Sequence, residues 1–122
     1  MSKIVVLGAG HVGSLCTLNL ALSGICGEIA LIDIDERKAD SQAKDIADAT
    51  AFMRRPVKIY AGTYADCDDA DILVISVGVS RKPGQTRLDM LGDTIDIMKD
   101  VVEKLKQTKF NGMIISISNP CD

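Results

Sequence analysis

Three stretches of this chain combine residue types and spacings that could do chemistry. They are a glycine-rich turn at Gly8–Gly13, an acid at Asp33, and a basic loop at Gly78–Thr86 that leads to Arg87. Glycines let backbone N–H groups approach a phosphate, a carboxylate accepts hydrogen bonds from ribose hydroxyls, and an arginine fork suits a small carboxylate. The set therefore indicates binding of a nucleotide beside a small anion.

The glycine-rich turn follows an apolar stretch, Ile4–Leu7, and has the G-x-G-x-x-G pattern. In a strand–turn–helix context this pattern is typical of dinucleotide binding. Gly8 permits the tight turn, Gly10 lets the backbone approach a pyrophosphate, and Gly13 lets the helix pack closely on the strand. We predict that all three glycines belong to a cofactor site.

The residues between the glycines complete this candidate site. The helix start after the turn offers free backbone N–H groups and a positive dipole end to phosphates. His11 and Val12 lie there, so we predict that both are next to the cofactor. His11 is the sole histidine of the chain. Because phosphates rather than a reacting carbon lie beside such a turn, we expect an exposed turn residue and not a catalytic base.

Asp33 stands 20 positions after Gly13, within a second apolar stretch, Glu28–Ile34. An acid at this place can accept hydrogen bonds from the adenosine ribose, and it repels the 2′-phosphate of NADP. An alternative is that Asp33 caps the next helix. Asp35 fits that role better, so the sequence predicts that Asp33 binds NAD.

The basic loop contains Arg81 and Lys82, and Arg87 follows within seven residues of Arg81, with Pro83-Gly84 between them. Such a loop could simply neutralise phosphate. The proline and glycine, however, make a stiff, bent segment with arginines on both sides, which suits closure over a small anion. A guanidinium in that segment can bind a carboxylate and polarise a carbonyl.

The spacing of apolar residues predicts the elements that position these stretches. Strands are predicted at short apolar or β-branched runs, and helices where apolar residues recur every three or four positions. In the first helix, Leu15, Leu18 and Leu22 have that spacing. The predicted strands are residues 4–7, 28–34, 57–61, 72–77 and 112–117, and the predicted helices are about 14–23, 36–52 and 87–106.

This order of elements predicts an α/β fold, a Rossmann doubly wound parallel sheet with strand order 3-2-1-4-5. Ligands of such sheets bind at the carboxyl ends of strands one and four, where the order reverses. The glycine turn, the acid and the basic loop all lie at or just after the carboxyl end of a predicted strand, and Ser118-Asn119-Pro120 follows the last strand. The predicted fold therefore gathers them at one edge.

The bulk composition excludes several classes of protein. The 122 residues are most simply one domain, and a net charge of −3 without a basic run argues against nucleic acid or an anionic membrane as partner. No apolar run approaches the roughly 18 residues of a membrane span, and the N-terminus does not have the pattern of a signal peptide. Cys16, Cys26, Cys67 and Cys121 lack C-x-x-C spacing. They indicate reduced cytoplasmic thiols rather than disulfides or metal ligands.

Four motifs occur along the chain: GAGHVG at Gly8–Gly13, LIDID at Leu31–Asp35, SVGVSRKPGQTRLDM at Ser76–Met90 and SNP at Ser118–Pro120. In this order and spacing the chain resembles the L-lactate/L-malate dehydrogenase family. The resemblance implies a domain that binds NAD, with a mobile loop that closes over a small-molecule 2-hydroxy or 2-oxo acid.

The resemblance also implies roles for single residues. Arg87 corresponds to the arginine that polarises the substrate carbonyl, and Asn119 to the asparagine near the nicotinamide that hydrogen-bonds the substrate. Gly78 would lie against the cofactor. Arg81 falls on the position that discriminates substrates, where an added cation favours malate or oxaloacetate. The strings TRLDML and CDDADILVI resemble the lactate branch at least as much, so lactate and pyruvate are the alternative.

Part of the family's catalytic machinery has no counterpart in this sequence. The family uses a histidine acid/base held by an aspartate, and a second arginine for the substrate carboxylate, all in a later catalytic domain. Because the sequence stops at Asp122, we expect residues 1–122 to be a truncated NAD-binding domain, inactive or nearly so alone, from a homodimeric or homotetrameric enzyme. The alternative from another class is a stand-alone, non-catalytic nucleotide-binding module. A reading frame that continues into a histidine-containing domain would exclude it.

Overall fold

Five parallel strands form the central sheet of the chain, whose computed structural model describes residues 2–79 and 82–119. The strands are β1 (Lys3–Leu7), β2 (Glu28–Ile32), β3 (Lys58–Ala61), β4 (Ile72–Ile75) and β5 (Met113–Ser116). They lie in the order β3-β2-β1-β4-β5, and every neighbouring pair is parallel. The predicted α/β fold and strand order are confirmed.

Helices cover both faces of this sheet. They are α1 (His11–Ser23) and α2 (Glu36–Thr50) on one face, and α3 (Leu91–Lys106) with a short 3₁₀ turn (Tyr64–Cys67) on the other. Side chains of β1 alternate between the two faces of the sheet. Ile4 and Val6 lie in the core under α1 and α2, and Val5 and Leu7 lie in the core under α3. Because β1 is covered on both faces, its whole run is apolar apart from Lys3 and is buried throughout.

Several elements begin or end at other residues than predicted. Helix α1 begins at His11 rather than Ser14, directly after the turn. Helix α3 begins at Leu91 rather than Arg87, because the residues before it form a separate turn. Strands β2 and β4 are shorter than predicted, and this places Asp33 and Ser76 immediately beyond the sheet ladders.

Helix α1 does not use its leucines for the core. Leu15 and Leu22 are 60% and 48% exposed, whereas the buried residues of the helix are Gly13, Thr17 and Ala21. The helix lies so close to the sheet that a small face is needed where it meets the strands. The leucine spacing thus correctly indicates a helix but does not mark its buried face.

A buried lysine at the amino edge of the sheet is paired with acids. The Nζ of Lys3 lies 2.6 Å from an oxygen of Asp69 and 3.4 Å from one of Asp66. The hydroxyl of Tyr60 lies 2.7 Å from Glu28 Oε1 and 3.0 Å from Asp66 Oδ1. These contacts join β1, β2, β3 and the 3₁₀ turn at the edge opposite the predicted site.

Three cysteines of the described chain, Cys16, Cys26 and Cys67, are free thiols. Burial raises the pKa of each, that of Cys67 to about 11, so they are held in the unreactive protonated form. Cys121 lies outside the described residues. Within residues 2–79 and 82–119, every helix is too short or too polar to cross a bilayer.

Candidate functional site

The carboxyl ends of four strands meet at one edge, and backbone hydrogen bonds join them. Gly8 N donates to Ile32 O at 2.7 Å, Ser76 N donates to Leu7 O at 2.8 Å, and Ile117 N to Ile75 O at 2.9 Å. These bonds lie where β1, β2, β4 and β5 end. The strand order reverses on the two sides of β1, so this edge is the place where doubly wound sheets hold ligands.

The geometry of the turn requires glycine at both of its ends. Gly8 has a φ of +105°, a backbone conformation that side chains disfavour. A Cβ at Gly13 would overlap the carbonyl oxygen of Gly8, so the first turn of α1 lies directly against the end of β1. Among the described residues, none comes within 4 Å of a Cβ placed at Gly10. The side of the turn at Gly10 is therefore open to a ligand.

The amino end of α1 is suited to an anion. Gly10 is the N-cap, no described side chain caps the helix, and its first turn contains no acid. The N–H groups of this turn and the positive helix end therefore face the open side. His11 and Val12 are its first two residues, and both are exposed. The structure thus places His11 in the helix rather than in the turn.

Asp33 connects β2 to the glycine turn. Its Oδ2 accepts a hydrogen bond from Ala9 N at 2.8 Å, and its Oδ1 accepts one from Asp35 N at 2.9 Å. The cap of α2 is Asp35, which accepts from Lys38 N at 3.2 Å. The assignment of the cap to Asp35 is confirmed. Each Asp33 oxygen retains a second lone pair for a ligand hydroxyl.

Two further residues at this edge escaped the sequence argument. Ile34, next to Asp33, is 91% exposed, an unusual position for an isoleucine and one that offers an apolar surface to an adenine ring. The Oγ of Ser76 donates to Leu7 O at 3.0 Å and lies 3.2 Å from Gly8 O. In the sequence, the one indication that Ser76 belongs to the site is that a hydroxyl-bearing residue stands near the end of the otherwise apolar run Ile72–Val77.

The basic loop consists of two ordered turns in its described part. Gln85 N donates to Lys82 O at 3.1 Å, and the side-chain oxygen of Gln85 accepts from Lys82 N at 3.0 Å. Gly84, which follows Pro83, has a φ of +81°, as a type II turn requires. The predicted bend at Pro83-Gly84 is confirmed.

The second turn carries Arg87. Thr86 N donates to Asp89 Oδ2 at 2.8 Å, and Asp89 N donates to Thr86 Oγ1 at 3.2 Å. This reciprocal pair is a capping box, and the two Thr86 groups hold the pKa of the Asp89 carboxyl below its usual range. The Arg87 backbone is thereby fixed, while its side chain is exposed.

The other residues predicted for the site are Gly78, Asn119, Arg87 and Arg81. Gly78 is exposed just after β4, and Asn119 is exposed just after β5. Among the described residues, Arg87 makes no hydrogen bond or ion pair to the glycine turn or to Asp33. Arg81 lies outside the described residues. The structure therefore joins the turn and Asp33 directly, and places Gly78 and Asn119 at the ends of neighbouring strands.

The donors at this edge fit a phosphate-bearing nucleotide rather than a metal ion. The described residues contain no group of three or more histidine, cysteine or acidic side chains that could hold a metal. The open side at Gly10, the uncapped helix end and a carboxylate beside the turn suit a pyrophosphate and a ribose.

Comparison with known proteins gives a consistent result. Residues 2–122 match the family model described as lactate/malate dehydrogenase, NAD binding domain. An L-lactate dehydrogenase 3 of Bacillus cereus is 42% identical over 120 residues, which are 98% of this chain and 38% of that protein. This chain thus spans well under half the length of that relative.

Solved structures with the same fold include enzymes with both substrate names. The minor L-lactate dehydrogenase of Enterococcus mundtii in its ligands-bound form has a TM-score of 0.93 and 35% identity, over 99% of this chain and 38% of that one. A malate dehydrogenase of Archaeoglobus fulgidus in complex with NADH has a TM-score of 0.86 and 36% identity, over 97% of this chain and 40% of that one.

Proposed function

This chain belongs to the lactate/malate dehydrogenase family as an NAD-binding domain, and we propose that it holds the cofactor in an enzyme that interconverts an L-2-hydroxy acid and its 2-oxo acid. The observation that carries the proposal is the bond between Asp33 and Ala9 N. This bond joins a carboxylate of the kind that binds a ribose to a glycine-rich turn of the kind that binds phosphates. Both lie at the carboxyl ends of the strands, next to the point where the strand order reverses.

The chain's own residues supply each part of a dinucleotide site. The N–H groups from Gly8 to Gly13 would bind the pyrophosphate, and Asp33 would accept hydrogen bonds from the adenosine ribose. Ile34 would contact the adenine. Gly78 and Asn119, at the ends of β4 and β5, would lie toward the nicotinamide.

The bound cofactor would supply hydride chemistry at its nicotinamide. Arg87 would stabilise the negative charge on the substrate carbonyl oxygen, because its guanidinium keeps a fixed positive charge at any working pH. Asn119 would hydrogen-bond the substrate and fix its orientation.

For the substrate we propose malate and oxaloacetate, on the charge of Arg81. A second fixed cation in a closed site favours a second carboxylate. Lactate and pyruvate are the second candidate, supported by the name of the Bacillus cereus relative. In the full-length protein, kcat/KM for oxaloacetate should exceed that for pyruvate, and a higher value for pyruvate would overturn the malate proposal.

Alone, residues 1–122 should bind the cofactor without turning over substrate. The sole histidine, His11, lies at the phosphate end of the site, so no histidine of this chain can act as acid/base at the substrate. The missing acid/base costs about 10²–10⁴-fold in rate. We propose that the full-length enzyme is a cytoplasmic homodimer or homotetramer.

Titration of the chain with NADH, followed by nucleotide fluorescence, tests the cofactor proposal. We expect saturable binding of NADH and at least about tenfold weaker binding of NADPH, because Asp33 repels the 2′-phosphate. Absence of NADH binding, or equal binding of NADPH, would contradict it. Rapid turnover of pyruvate or oxaloacetate by residues 1–122 alone would contradict the proposal that this chain binds the cofactor without catalysing the reaction.

A further inference from the structure

We propose that Ser76 is a positioning residue of the cofactor site: its hydroxyl holds the end of β4 against the glycine turn and thereby sets the turn's N–H groups for the pyrophosphate. The inference deepens the proposed cofactor function and rests on it. Ser76 itself does not bind the cofactor. It acts on the residues that do.

The hydroxyl of Ser76 reaches two successive carbonyls across the sheet. Its Oγ lies 3.0 Å from Leu7 O and 3.2 Å from Gly8 O, so one proton is shared between the last carbonyl of β1 and the first carbonyl of the turn. Ser76 N also donates to Leu7 O, at 2.8 Å. The chain therefore leaves β1 for the turn at a point that Ser76 contacts with both backbone and side chain.

The same hydroxyl fills the space between the two outer glycines. A Cβ at Gly8 would come within 2.8 Å of Ser76 Oγ, and a Cβ at Gly13 within 2.6 Å of it. Ser76 thus touches both ends of the turn, the one that begins it and the one that starts the packing of α1. A bulkier group in place of this oxygen would push the helix away from the strand, whereas threonine keeps an oxygen at this position.

The turn is then held from both neighbouring strands. On the β2 side, Asp33 accepts from Ala9 N at 2.8 Å; on the β4 side, Ser76 holds Gly8 O. Within the turn, the hydroxyl of Ser14 donates to Ala9 O at 3.1 Å. The middle of the turn, at Gly10, has open space beside it. Fixing the two flanks therefore fixes the orientation of the exposed N–H groups between them.

Three variants separate positioning from a general loss of structure. Ser76→Ala removes the hydroxyl, and Ser76→Thr restores a hydroxyl at the same atom. Ser23→Ala is the matched control, because Ser23 makes the same type of bond, to Leu20 O at 2.7 Å, at the far end of α1. Each variant is titrated with NADH and with adenosine, which has no phosphate.

We expect Ser76→Ala to weaken NADH binding by about five- to tenfold, the range of one lost hydrogen bond, and adenosine binding by less than about twofold. Ser76→Thr should restore NADH affinity, and Ser23→Ala should leave both affinities unchanged. In the ligand-free chain, the amides of Ala9 and Gly10 should exchange faster in Ser76→Ala while those of β2 do not.

Unchanged NADH affinity in Ser76→Ala would overturn the inference and leave the cofactor proposal intact. Equal losses for NADH and adenosine, or a Ser76→Thr variant as weak as Ser76→Ala, would also overturn it, since both indicate a general structural role. Failure of the unmodified chain to bind NADH would instead overturn the cofactor proposal, and the positioning role with it.

Discussion

The carboxylate of Asp33 accepts a hydrogen bond from the backbone N–H of Ala9 at 2.8 Å. The acid at the end of β2 and the turn at the end of β1 are thus joined directly by a hydrogen bond within the protein. The residue that we propose for binding the ribose also fixes the backbone that would bind the pyrophosphate. Preorganisation of this kind lowers the cost of ordering the site on binding.

Two substitutions of Asp33 should separate its two roles. Asp33→Asn keeps an oxygen that can accept from Ala9 N but removes the charge and the acceptor for Asp35 N, so the preference for NADH over NADPH should fall by about tenfold or more. Asp33→Ala also loses the bond to the turn, and should lower the free energy of unfolding by about 1–2 kcal/mol. Fluorescence titrations and urea unfolding measure the two effects.

Asp35→Asn is the control for these variants. It removes the same charge two residues away, and asparagine caps a helix as well as aspartate, so stability and cofactor preference should both stay as they are. If Asp33→Asn kept the full preference for NADH, Asp33 would not be the residue that excludes the 2′-phosphate.

Alanine substitutions at two glycines of the turn should affect different properties of the protein. Gly10→Ala adds a Cβ into open space at a backbone conformation that alanine adopts, with φ −73° and ψ −169°. The melting temperature should not change, whereas NADH affinity should fall by about tenfold or more because the new methyl group occupies the approach of the pyrophosphate. Calorimetry and NADH titration of the same sample check both.

Gly13→Ala provides the contrast. Its Cβ would overlap Gly8 O, so α1 must move away from β1, at a cost of about 2 kcal/mol or more in the free energy of unfolding. A Gly10→Ala variant that unfolds as early as Gly13→Ala would show that the space beside Gly10 is occupied. Undiminished NADH affinity in Gly10→Ala would remove the glycine turn from the cofactor site.

The sequence predicted the parts of this molecule that follow from local patterns. The strand order was predictable because β-branched runs such as Ile72–Ile75 alternate with helical spacing, and right-handed crossovers leave few arrangements. The turn, and the assignment of the cap of α2 to Asp35, were predictable because each is defined by residues within a few positions of one another.

The residues that the sequence argument missed depend on long-range contacts. Ser76 is separated from Gly8 by 68 positions, and no period within β4 indicates that its hydroxyl would meet that carbonyl. The exposure of Leu15 could not be predicted either, because α1 is apolar on more than one side and only the contact at Gly13 decides which side is buried. The start of α3 was predicted wrongly for a related reason: Thr86 and Asp89 have the spacing of a helix cap, but they close a separate turn, and the helix begins only at Leu91.

The capping box should control the order of the turn that carries Arg87. Thr86→Ala removes the hydroxyl that accepts from Asp89 N, so the amide of Asp89 should exchange about fivefold faster or more. Thr86→Ser, which keeps the hydroxyl, is the matched control. Hydrogen exchange followed by NMR measures this in the chain itself, and unchanged protection in Thr86→Ala would show that the turn does not depend on its cap.

Acid should weaken the same turn. The pKa of Asp89 is lowered by Thr86, so its contribution is present above the unfolded pKa, about 3.9, and is lost as pH falls through the folded pKa. The protection factor of the Thr86 amide, which donates to the Asp89 carboxylate, should therefore decrease below about pH 4. In Asp89→Asn it should be independent of pH in that range; the same decrease in this variant would assign the effect to another group.

The buried lysine at the amino edge should give stability a pH dependence of its own. Burial alone would raise the pKa of Asp66, but the Thr63 N–H, the Tyr60 hydroxyl and the ammonium of Lys3 together lower it. Burial alone would lower the pKa of Lys3, yet hydrogen bonding to Asp69 and the charges around it raise it. Lys3 also lowers the pKa of Asp69, so Lys3 and Asp69 each favour the charged form of the other, and Lys3 favours the charged form of Asp66 as well.

The directions of the two pKa shifts determine the pH range over which these charges stabilise the fold. A lowered carboxyl pKa contributes stability above the unfolded value of about 3.9 and loses it as pH falls through the folded value. A raised lysine pKa contributes stability in full below the unfolded value of about 10.4 and loses it only as pH rises through the folded value. The contribution of Lys3 should therefore be constant from about pH 5 to pH 9 and decline in acid.

Lys3→Met tests this window, because methionine keeps an unbranched side chain only one atom shorter than that of lysine and has no charge. The side chain of Lys3 is 9% exposed while that of Asp69 is 75% exposed, so solvent screens part of the interaction and we expect a loss of about 1–2 kcal/mol at pH 7. Urea unfolding at pH 7, 5 and 3 should show that the difference in free energy of unfolding between Lys3→Met and the unmodified chain narrows at pH 3.

The control is Lys44→Met, which removes an exposed pair with Asp40 on α2 and should have no measurable effect. A gap that stays constant down to pH 3 would mean that packing of the lysine stem, and not its charge, holds this edge of the sheet together.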